Sequence, residues 1–351
     1  MNTNQDIEIL PLADKIAELL KTARQRAVAQ VNQAMVLTYF EIGRMIVEDE
    51  QGGHERAAYG KAQLKRLSRR LTAEFGRGFS VENLDRMRFF YKTYSQPISS
   101  TVLTNSEASS QKLEKGQTPS DEFKLSWSHY IRLMRIADPL ERRFYEVEAA
   151  KNNWSLRELN RQYDSALFTR LALSKDKQGV LSLALQGQVI ETPQDVIKDP
   201  YVLEFLGLPE HSQYSESKLE QRLIDKLEHF LLELGTGFAF VSRQQRISLD
   251  DQHFYVDLVF YNRVLRCFVL IDLKLGRLKH QDLGQMQMYV NYYDRKMRLP
   301  DENQTIGIVL CQDKSEAVVE FTLPEGNSQI FASRYLTVLP SKAQLQALLV
   351  E

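Results

Sequence analysis

The sequence lacks a long apolar run and has only two cysteines. A helix needs about 20 apolar residues to cross a bilayer, so no segment is a candidate span. The start MNTNQDIEIL lacks the basic and apolar regions of a secretory signal. Cys267 and Cys311 lie in apolar stretches without zinc-ligand spacing, which is typical of buried thiols in a reducing compartment. We therefore expect a cytoplasmic protein with no membrane partner.

Charge is unevenly distributed, although the net charge of the 351 residues is only −1. Residues 1–172 contain 26 Lys and Arg against 22 Asp and Glu, which leaves 19 against 24 for the remainder. Residues 61–92 hold 9 basic and 3 acidic side chains. Such clustering indicates a phosphate-binding surface. The alternative is an ordinary solvated helix face.

The first half of the chain has helical periodicity. Apolar residues recur at three- and four-residue steps over 11–50 and again over 59–75, and Ser80 is a suitable N-cap for a third helix that runs to Tyr94. Residues 95–122 are rich in Ser, Thr, Gln and Pro, which predicts a loop. Helices resume after it, so we expect an all-helical domain over residues 1–172.

The second half has a mixed pattern. Ser217 and Glu220 form a capping-box motif before KLEQRLIDKLEHFLLELG, which ends at Gly235. Four strand-like runs follow, FAFVSRQQRISL, HFYVDLVFY, LRCFVLIDLKL and TIGIVLCQ, with a helix over 281–296 before the last. A strand near FASRYLTVL and a helix in KAQLQALLV complete the chain. We expect a mixed α/β sheet domain over residues 173–351.

Two charged residues interrupt the apolar run FVLIDLKLG. Alternate strand residues face opposite sides, so Asp272 and Lys274 share one face while the other face is wholly apolar. Removing both charges from water costs several kcal/mol or more, which suggests a function for the pair. The alternative is a surface Asp–Lys pair on an exposed sheet.

A third charge, Asp257, lies in the preceding apolar run FYVDLVFY. A hairpin turn near 262–264 with an even number of loop residues would place Asp257 beside Asp272 on the same face. An odd-length loop without a bulge would separate them. Mg²⁺ prefers hard oxygen ligands and contacts one or two carboxylates. A bound Mg²⁺ polarises a phosphate, and Lys274 could stabilise the developing charge or orient the attacking water.

These residues resemble a known family. Asp257 with Asp272-Leu-Lys274, in the order α-β-β-β-α-β, is similar to the PD-(D/E)xK nuclease superfamily. FYVDLVFYNRVLRCFVLIDLKLG and GQMQMYVNYYD resemble the C-terminal domain of YhcG-type bacterial nucleases. AYGKAQLKRLSRRLTAEFGRGFSVENLDRMRFFY resembles their helical N-terminal domain. The fold class expected is a helical domain followed by a restriction-endonuclease-like mixed α/β domain.

The resemblance implies roles for individual residues. It implies that Asp257, Asp272 and a helical Glu220 hold Mg²⁺, with Mn²⁺ as a substitute, and that Lys274 and Gln285 complete the catalytic site. The capping box remains an alternative role for Glu220, and a plain polar helix surface remains one for Gln285. The family pattern leads us to expect Glu-Leu-Lys where this chain has Asp-Leu-Lys, and the shorter side chain could shift the metal geometry.

The helical half contains helix–turn–helix-like stretches, which can bind DNA but more often do not. The expected nucleic-acid-binding side chains are Lys61, Lys65, Arg66, Arg69, Arg70, Arg77, Arg86, Arg88 and Lys92. The sequence thus predicts a Mg²⁺-dependent endodeoxyribonuclease that cleaves DNA, including branched DNA, and that forms a homodimer. The alternative is a non-catalytic DNA-binding or toxin/defence-partner protein on an inactive nuclease fold.

Overall fold

The computed structural model describes residues 3–52, 57–95, 123–172, 177–208 and 214–338. The chain divides into two compact units, Met1–Leu159 and Asn160–Glu351. The first is helical and the second contains a mixed sheet with flanking helices. The expected fold class is confirmed. The Ser-rich stretch over 96–122 and the helix expected in KAQLQALLV lie outside the described residues.

The first unit is built from six helices in its described part, the last of which continues into the second unit. They are α1 (Thr3–Gly52), α2 (Ala57–Phe75), α3 (Val81–Tyr94), α4 (Trp127–Leu133), α5 (Pro139–Lys151) and α6 (Leu156–Asp164). Ser80 is the N-cap of α3 and accepts a hydrogen bond from the Asn83 amide, as the sequence predicts.

Close contact between α1 and α3 holds this unit together. Gly43 permits it, because a Cβ there would lie 2.1 Å from the Met87 carbonyl oxygen. Met87 is fully buried, with Leu64 and Leu84 in the same apolar cluster. Phe90 packs in an aromatic cluster with the rings of Phe40, Phe123, Trp127 and Tyr130. No helix in the described ranges is long and apolar enough to span a bilayer.

The second unit contains a six-stranded sheet among its described residues. Its helices are α7 (Leu167–Ala172), α8 (Lys177–Gln186), α9 (Glu216–Asp225), α10 (Leu227–Leu234), α11 (His280–Tyr292) and α12 (Glu316–Thr322). Its strands are β1 (Tyr201–Val202), β2 (Phe238–Leu249), β3 (Gln252–Asn262), β4 (Cys267–Leu273), β5 (Ile306–Cys311) and β6 (Ile330–Leu336). A single π-helical turn, Tyr293–Met297, follows α11.

The strand order is β1-β6-β5-β4-β3-β2. Strands β2, β3 and β4 are antiparallel neighbours, whereas β4, β5, β6 and β1 pair in parallel. Both faces of β4 are buried. Val269, Ile271 and Leu273 pack in the cluster that contains Leu219 and Leu223 of α9, and Leu270 packs in the cluster under α11. The central strand therefore has a continuous apolar sequence.

Gly307 of β5 sets the distance between the sheet and α11. A Cβ at this position would lie 2.6 Å from the Met286 sulfur and 2.8 Å from a Val290 methyl group. Any larger residue would push α11 away from the sheet. This helix carries Gln285 and Tyr289, so the close approach also fixes the height of those side chains above β4.

One sequence expectation needs revision. The single helix expected to end at Gly235 is interrupted at Lys226 (φ −120°, ψ 30°), which separates α9 from α10. The compact units divide after Leu159, and the domain bounds 1–172 and 173–351 stay a prediction. In the second unit, Arg161 and Arg170 form ion pairs with the fully buried Glu233 of α10.

Candidate active site

The β3–β4 hairpin determines which faces its acidic residues occupy. Asn262 pairs with Cys267 and Leu258 with Ile271, so the loop has four residues, 263–266. Because the loop length is even, the same register places Asp257 directly opposite Asp272. The Asp257 carboxylate also accepts a hydrogen bond of 2.8 Å from the Leu273 amide. The ends of the two strands are therefore tied together beside the two carboxylates.

Asp272 and Lys274 form a close ion pair at the end of β4. Lys274 Nζ lies 2.8 Å from Asp272 Oδ2, and Asp272 is only 2% exposed. The ammonium group of Lys274 is the charged partner of this buried oxygen. The Lys274 amide donates to the Leu310 carbonyl, which fixes the backbone of the pair against β5. The ion pair thus holds the buried Asp272 carboxylate at the end of β4.

The electrostatics of the site favour a bound cation. Burial and the neighbouring charge of Asp257 raise the pKa of Asp272 to about 7, although Lys274 opposes the shift. Burial also raises the pKa of Asp257, against the opposing effects of the Leu273 amide and Lys274. Burial lowers the pKa of Lys274, but attraction to Asp272 outweighs it and the net shift is upward. The two carboxylates therefore gain from an additional positive charge.

Glu220 of α9 reaches the site through Gln244. The Gln244 side-chain amide lies 2.6 Å from Glu220 Oε2 and 3.0 Å from Asp257 Oδ1. Burial, together with repulsion from Asp257, raises the pKa of Glu220, which is 7% exposed. The capping-box alternative for Glu220 is wrong, because Ser215 is the N-cap of α9 and accepts from the Lys218 amide. Ser217 lies inside the first turn.

Sequence reasoning missed Gln244 and Glu216. Gln244 has a left-handed backbone (φ 46°) in β2, downstream of an irregularity in the register between Phe240 and Ser242. The only sequence signal is the polar run SRQQR within a strand. Glu216, the first residue of α9, accepts from the Leu275 amide, and its charge acts on Asp257, Asp272 and Lys274. Only the tertiary structure brings either residue to the carboxylates.

Gln285 lies on α11 and is half-buried. Its side-chain amide donates to the Tyr289 hydroxyl, which in turn donates to the Tyr255 carbonyl at 2.9 Å. Burial and the charge of Asp272 raise the pKa of Tyr289, so this hydroxyl is within electrostatic range of the pair on β4. No hydrogen bond joins Gln285 directly to Glu220, Asp257 or Asp272 in the described chain.

Pairwise links connect the carboxylates of Glu220, Asp257 and Asp272. Gln244 links Glu220 to Asp257, and the strand register links Asp257 to Asp272. In the described ranges no three His, Cys, Asp or Glu side chains converge closely enough to hold a metal ion together. The hard-oxygen donors of Asp257 and Asp272, which lie opposite each other in the strand register, nevertheless fit a divalent cation of the kind that one or two carboxylates and several waters hold.

The basic residues expected to bind nucleic acid fall into two groups. Arg88 pairs with Glu50 at 2.8 Å and Asp85 at 2.9 Å, and Lys92 lies 3.9 Å from Glu50. The others with described side chains are exposed and form no ion pair within the described structure, namely Lys65, Arg66, Arg69, Arg70, Arg77 and Arg86. The side chain of Lys61 lies outside the description. The uncompensated charge therefore lies on α2, the α2–α3 turn and Arg86.

Comparison with known families identifies the class of this site. Residues 194–350 match the YhcG PDDEXK nuclease domain, and residues 15–170 match the DUF1016 N-terminal domain. Residues 194–350, which contain the β3–β4 site, therefore form a nuclease domain of the PDDEXK type. Enzymes with this fold generally use divalent metal ions.

The chain belongs to the YhcG family. It is 42% identical over 348 residues to the Escherichia coli (strain K12) protein described as "Putative nuclease YhcG", and the match covers 95% of this chain and 91% of that protein. The family resemblance stated from the sequence is confirmed.

Two solved structures also show a partial likeness. They are a repair endonuclease from Pyrococcus abyssi (16% identity, TM-score 0.25) and an EndoMS–dsDNA2 complex (17% identity, TM-score 0.26). The matches cover 36% and 38% of this chain and 49% of each of those chains, so this chain spans about half their length.

Proposed function

We propose that the protein is a metal-dependent endodeoxyribonuclease that hydrolyses phosphodiester bonds in DNA. The observation that carries this proposal is the arrangement at the end of β4. Asp257 lies opposite the buried Asp272, and Lys274 Nζ is 2.8 Å from the Asp272 carboxylate. Two acids can hold a divalent metal, and a lysine beside them can stabilise the charge that develops in phosphodiester hydrolysis.

Asp257 and Asp272 would hold the metal, with Glu220 completing the acidic set. Mg²⁺ is the expected ion, because carboxylate oxygens and water suit it, and Mn²⁺ can replace it. The bound ion supplies Lewis-acid activation of the phosphate and lowers the pKa of a bound water. Asp272 would gain from such an ion, because burial and the charge of Asp257 disfavour its ionised form.

Lys274 acts on the substrate side of the site. Its ammonium group is held beside Asp272 by charge and by the backbone hydrogen bond to Leu310. From there it orients the attacking water and stabilises the charge that develops on the phosphate. Gln285 is a supporting residue, since it donates to the Tyr289 hydroxyl under the electrostatic influence of Asp272.

The proposal is tested by incubating the full chain with linear, nicked and branched DNA in the presence of Mg²⁺, Mn²⁺ or EDTA. We expect cleavage with either metal and none with EDTA. The Asp272→Asn variant is the control for a contaminating nuclease and should not cleave. Metal-independent cleavage, or equal cleavage by the variant, would contradict the proposal.

The alternative is a non-catalytic DNA-binding or defence-partner protein that retains an inactive nuclease fold. One observation favours it, namely that Glu220, Asp257 and Asp272 do not converge as a group of three in the described structure. Calorimetric titration with Mn²⁺ separates the two functions. Absence of saturable binding that depends on Asp272 would favour the alternative.

A further inference from the structure

A short turn between α2 and α3 presents an exposed aromatic ring and an exposed arginine. We call residues 75–79, with the sequence FGRGF, the tip. Phe75 is 62% exposed, and Arg77 is exposed without an ion pair in the described structure. A 62% exposed phenylalanine leaves a large apolar surface in water without an evident structural benefit.

The tip has a fixed shape. Gly76 (φ 80°) and Gly78 (φ 125°) adopt backbone conformations that side chains rarely tolerate. The Gly78 carbonyl accepts from the Asn83 side-chain amide at 2.6 Å, and Asn83 in turn accepts from the Trp127 indole at 3.2 Å. Phe79 packs against the apolar cluster of the unit. The exposure of Phe75 is therefore set by an anchored turn, and little ordering is needed when a ligand binds.

Space around the tip is open. A Cβ built on Gly76 or on Gly78 would meet no heavy atom within 4 Å. The Phe75 and Phe79 rings meet in an edge-type arrangement, with ring centroids 6.1 Å apart and an interplanar angle of 60°, and Phe75 remains 62% exposed. A planar group can therefore approach both the backbone and the face of Phe75.

The charge around the tip selects the class of ligand. Arg69 and Arg70 lie on the last two turns of α2 before Phe75, exposed and without ion pairs within the described residues. The exposed side of α3 is different, because Glu82 and Asp85 offset its exposed Arg86, and its Arg88 is neutralised by Glu50. A groove-reading role for α3, the second helix of the pair, is thus disfavoured. The positive charge that can attract phosphates lies mainly on α2 and the tip.

We propose that the tip binds an unpaired nucleotide, with the Phe75 ring stacked on the base and Arg77 paired with the adjacent phosphate. Aromatic rings beside arginines bind single-stranded nucleic acid in this way, because every base has a face that can stack. The ligand class is DNA with unpaired bases, such as flapped, gapped or branched DNA, in preference to continuous duplex. This inference rests on the proposed nuclease function and specifies its substrate.

The test measures binding without cleavage. The full chain carrying Asp272→Asn is titrated, in EDTA, with a fluorescent duplex bearing a single-stranded flap and with a blunt duplex of equal length. Phe75→Ala should weaken flap binding by about 5- to 150-fold, the range for removal of a stacking aromatic. The affinity of Phe75→Ala for the blunt duplex should differ from that of its parent by less than about 2-fold. Phe75→Trp, which keeps an aromatic ring at this position, should bind the flap as its parent does. Phe321→Ala is the matched control, since Phe321 is 85% exposed in the second unit.

Equal flap affinity of Phe75→Ala and its parent would overturn the proposal, and so would an equal loss on both DNAs. If the tip instead docks an acidic protein, all DNA affinities will be unchanged, which is the first of these outcomes. Failure of the nuclease function is distinguishable. If the protein binds flaps through Phe75 but never cleaves them, the proposal for the tip stands and the nuclease proposal fails. If it cleaves DNA without dependence on Phe75, the nuclease proposal stands and the proposal for the tip fails.

Discussion

The backbone amide of Leu273 donates a 2.8 Å hydrogen bond to the side chain of Asp257 on the neighbouring strand. This contact closes the β3–β4 ladder at the point where the acidic residues meet. It orients one oxygen of Asp257 toward the β4 backbone, while the other accepts from Gln244. The backbone of the Asp-Leu-Lys segment thus positions the first acid, as well as carrying the second acid and the lysine.

Asp272→Asn and Lys274→Ala should each abolish DNA cleavage while preserving folding and DNA affinity. Asp272 is assigned to the metal and Lys274 to the attacking water, whereas the core face of β4 is formed by its apolar residues. Cleavage rates, circular dichroism and DNA titration check this together. Parental cleavage by either variant would show that the assignment is wrong. Unfolding of both variants would show instead that the pair is structural.

The register of the hairpin is predictable because two simple rules apply to it. Side chains alternate along a strand, and an even loop preserves the pairing of faces, so sequence alone can relate Asp257 to Asp272. The position of Gln244 does not follow from these rules. Gln244 itself has a left-handed backbone in β2, and the pairing of β2 with β3 brings its exposed side chain to Glu220 and Asp257. Ordinary strand alternation contains no signal for such a backbone.

The ion pairs of Glu233 illustrate a second limit. Arg161 and Arg170 bind Glu233, which is 63 residues or more further along the chain. Ion pairs over such separations are not readable from local pattern. The homodimer, the cytoplasmic location and the choice of Mg²⁺ stay predictions.

Metal binding should depend on pH through Asp272. The pKa of this carboxyl in the metal-free protein is about 7, because burial and Asp257 disfavour its charged form. A proton therefore competes with the metal below pH 7, and affinity for Mn²⁺ should fall by up to about 10-fold per pH unit there. Above pH 7 the affinity should level off. Calorimetric titrations from about pH 5.5 to about pH 8.5, each about 0.5 unit apart, measure this, and a flat profile would contradict it.

Gln244→Ala should weaken Mn²⁺ binding by about 10-fold or more, because residues that orient metal ligands affect affinity by roughly 10- to 100-fold. Without its amide, Glu220 and Asp257 lose a shared hydrogen-bond donor and repel each other more strongly. Gln245→Ala is the matched control, since Gln245 is the next residue of β2 and its side chain accepts from the Ser242 hydroxyl, away from both acids. A loss of thermal stability without a change in metal affinity would make Gln244 merely structural.

The basic surface of α2 should bind DNA phosphates with little sequence preference. Replacing Lys65, Arg69 and Arg70 with glutamine removes three exposed, unpaired charges of the described structure. The slope of log K against log salt should therefore become shallower, by about 0.9 for each phosphate that these side chains neutralise on duplex DNA. Arg88→Gln is the internal comparison. Arg88 already pairs with Glu50, and its replacement should lower thermal stability and leave the slope unchanged. An unchanged slope for the triple variant would favour a merely solvated face.

Glu233→Gln should destabilise the second unit by about 3–5 kcal/mol, because it leaves the fully buried Arg170 without its countercharge. Burial alone raises the pKa of Glu233, but Arg170, Lys198 and Arg161 outweigh it and lower the pKa to about 2. The stabilisation is therefore complete above the ordinary value of 4.5 and is lost as the pH falls toward 2. The variant should lack this dependence.

Urea unfolding from about pH 5 to about pH 2, in steps of about one unit, tests this prediction of a Glu233-dependent acid transition. Both tryptophans, Trp127 and Trp154, lie in the first unit, so their fluorescence follows that unit while circular dichroism follows the whole chain. Glu228→Gln is the control, because Glu228 is exposed on the same helix. It should leave both signals unchanged. If Glu233→Gln is as stable as Glu228→Gln at about pH 5, the buried pairs contribute no net stability, since the desolvation of three charged groups then cancels their attraction.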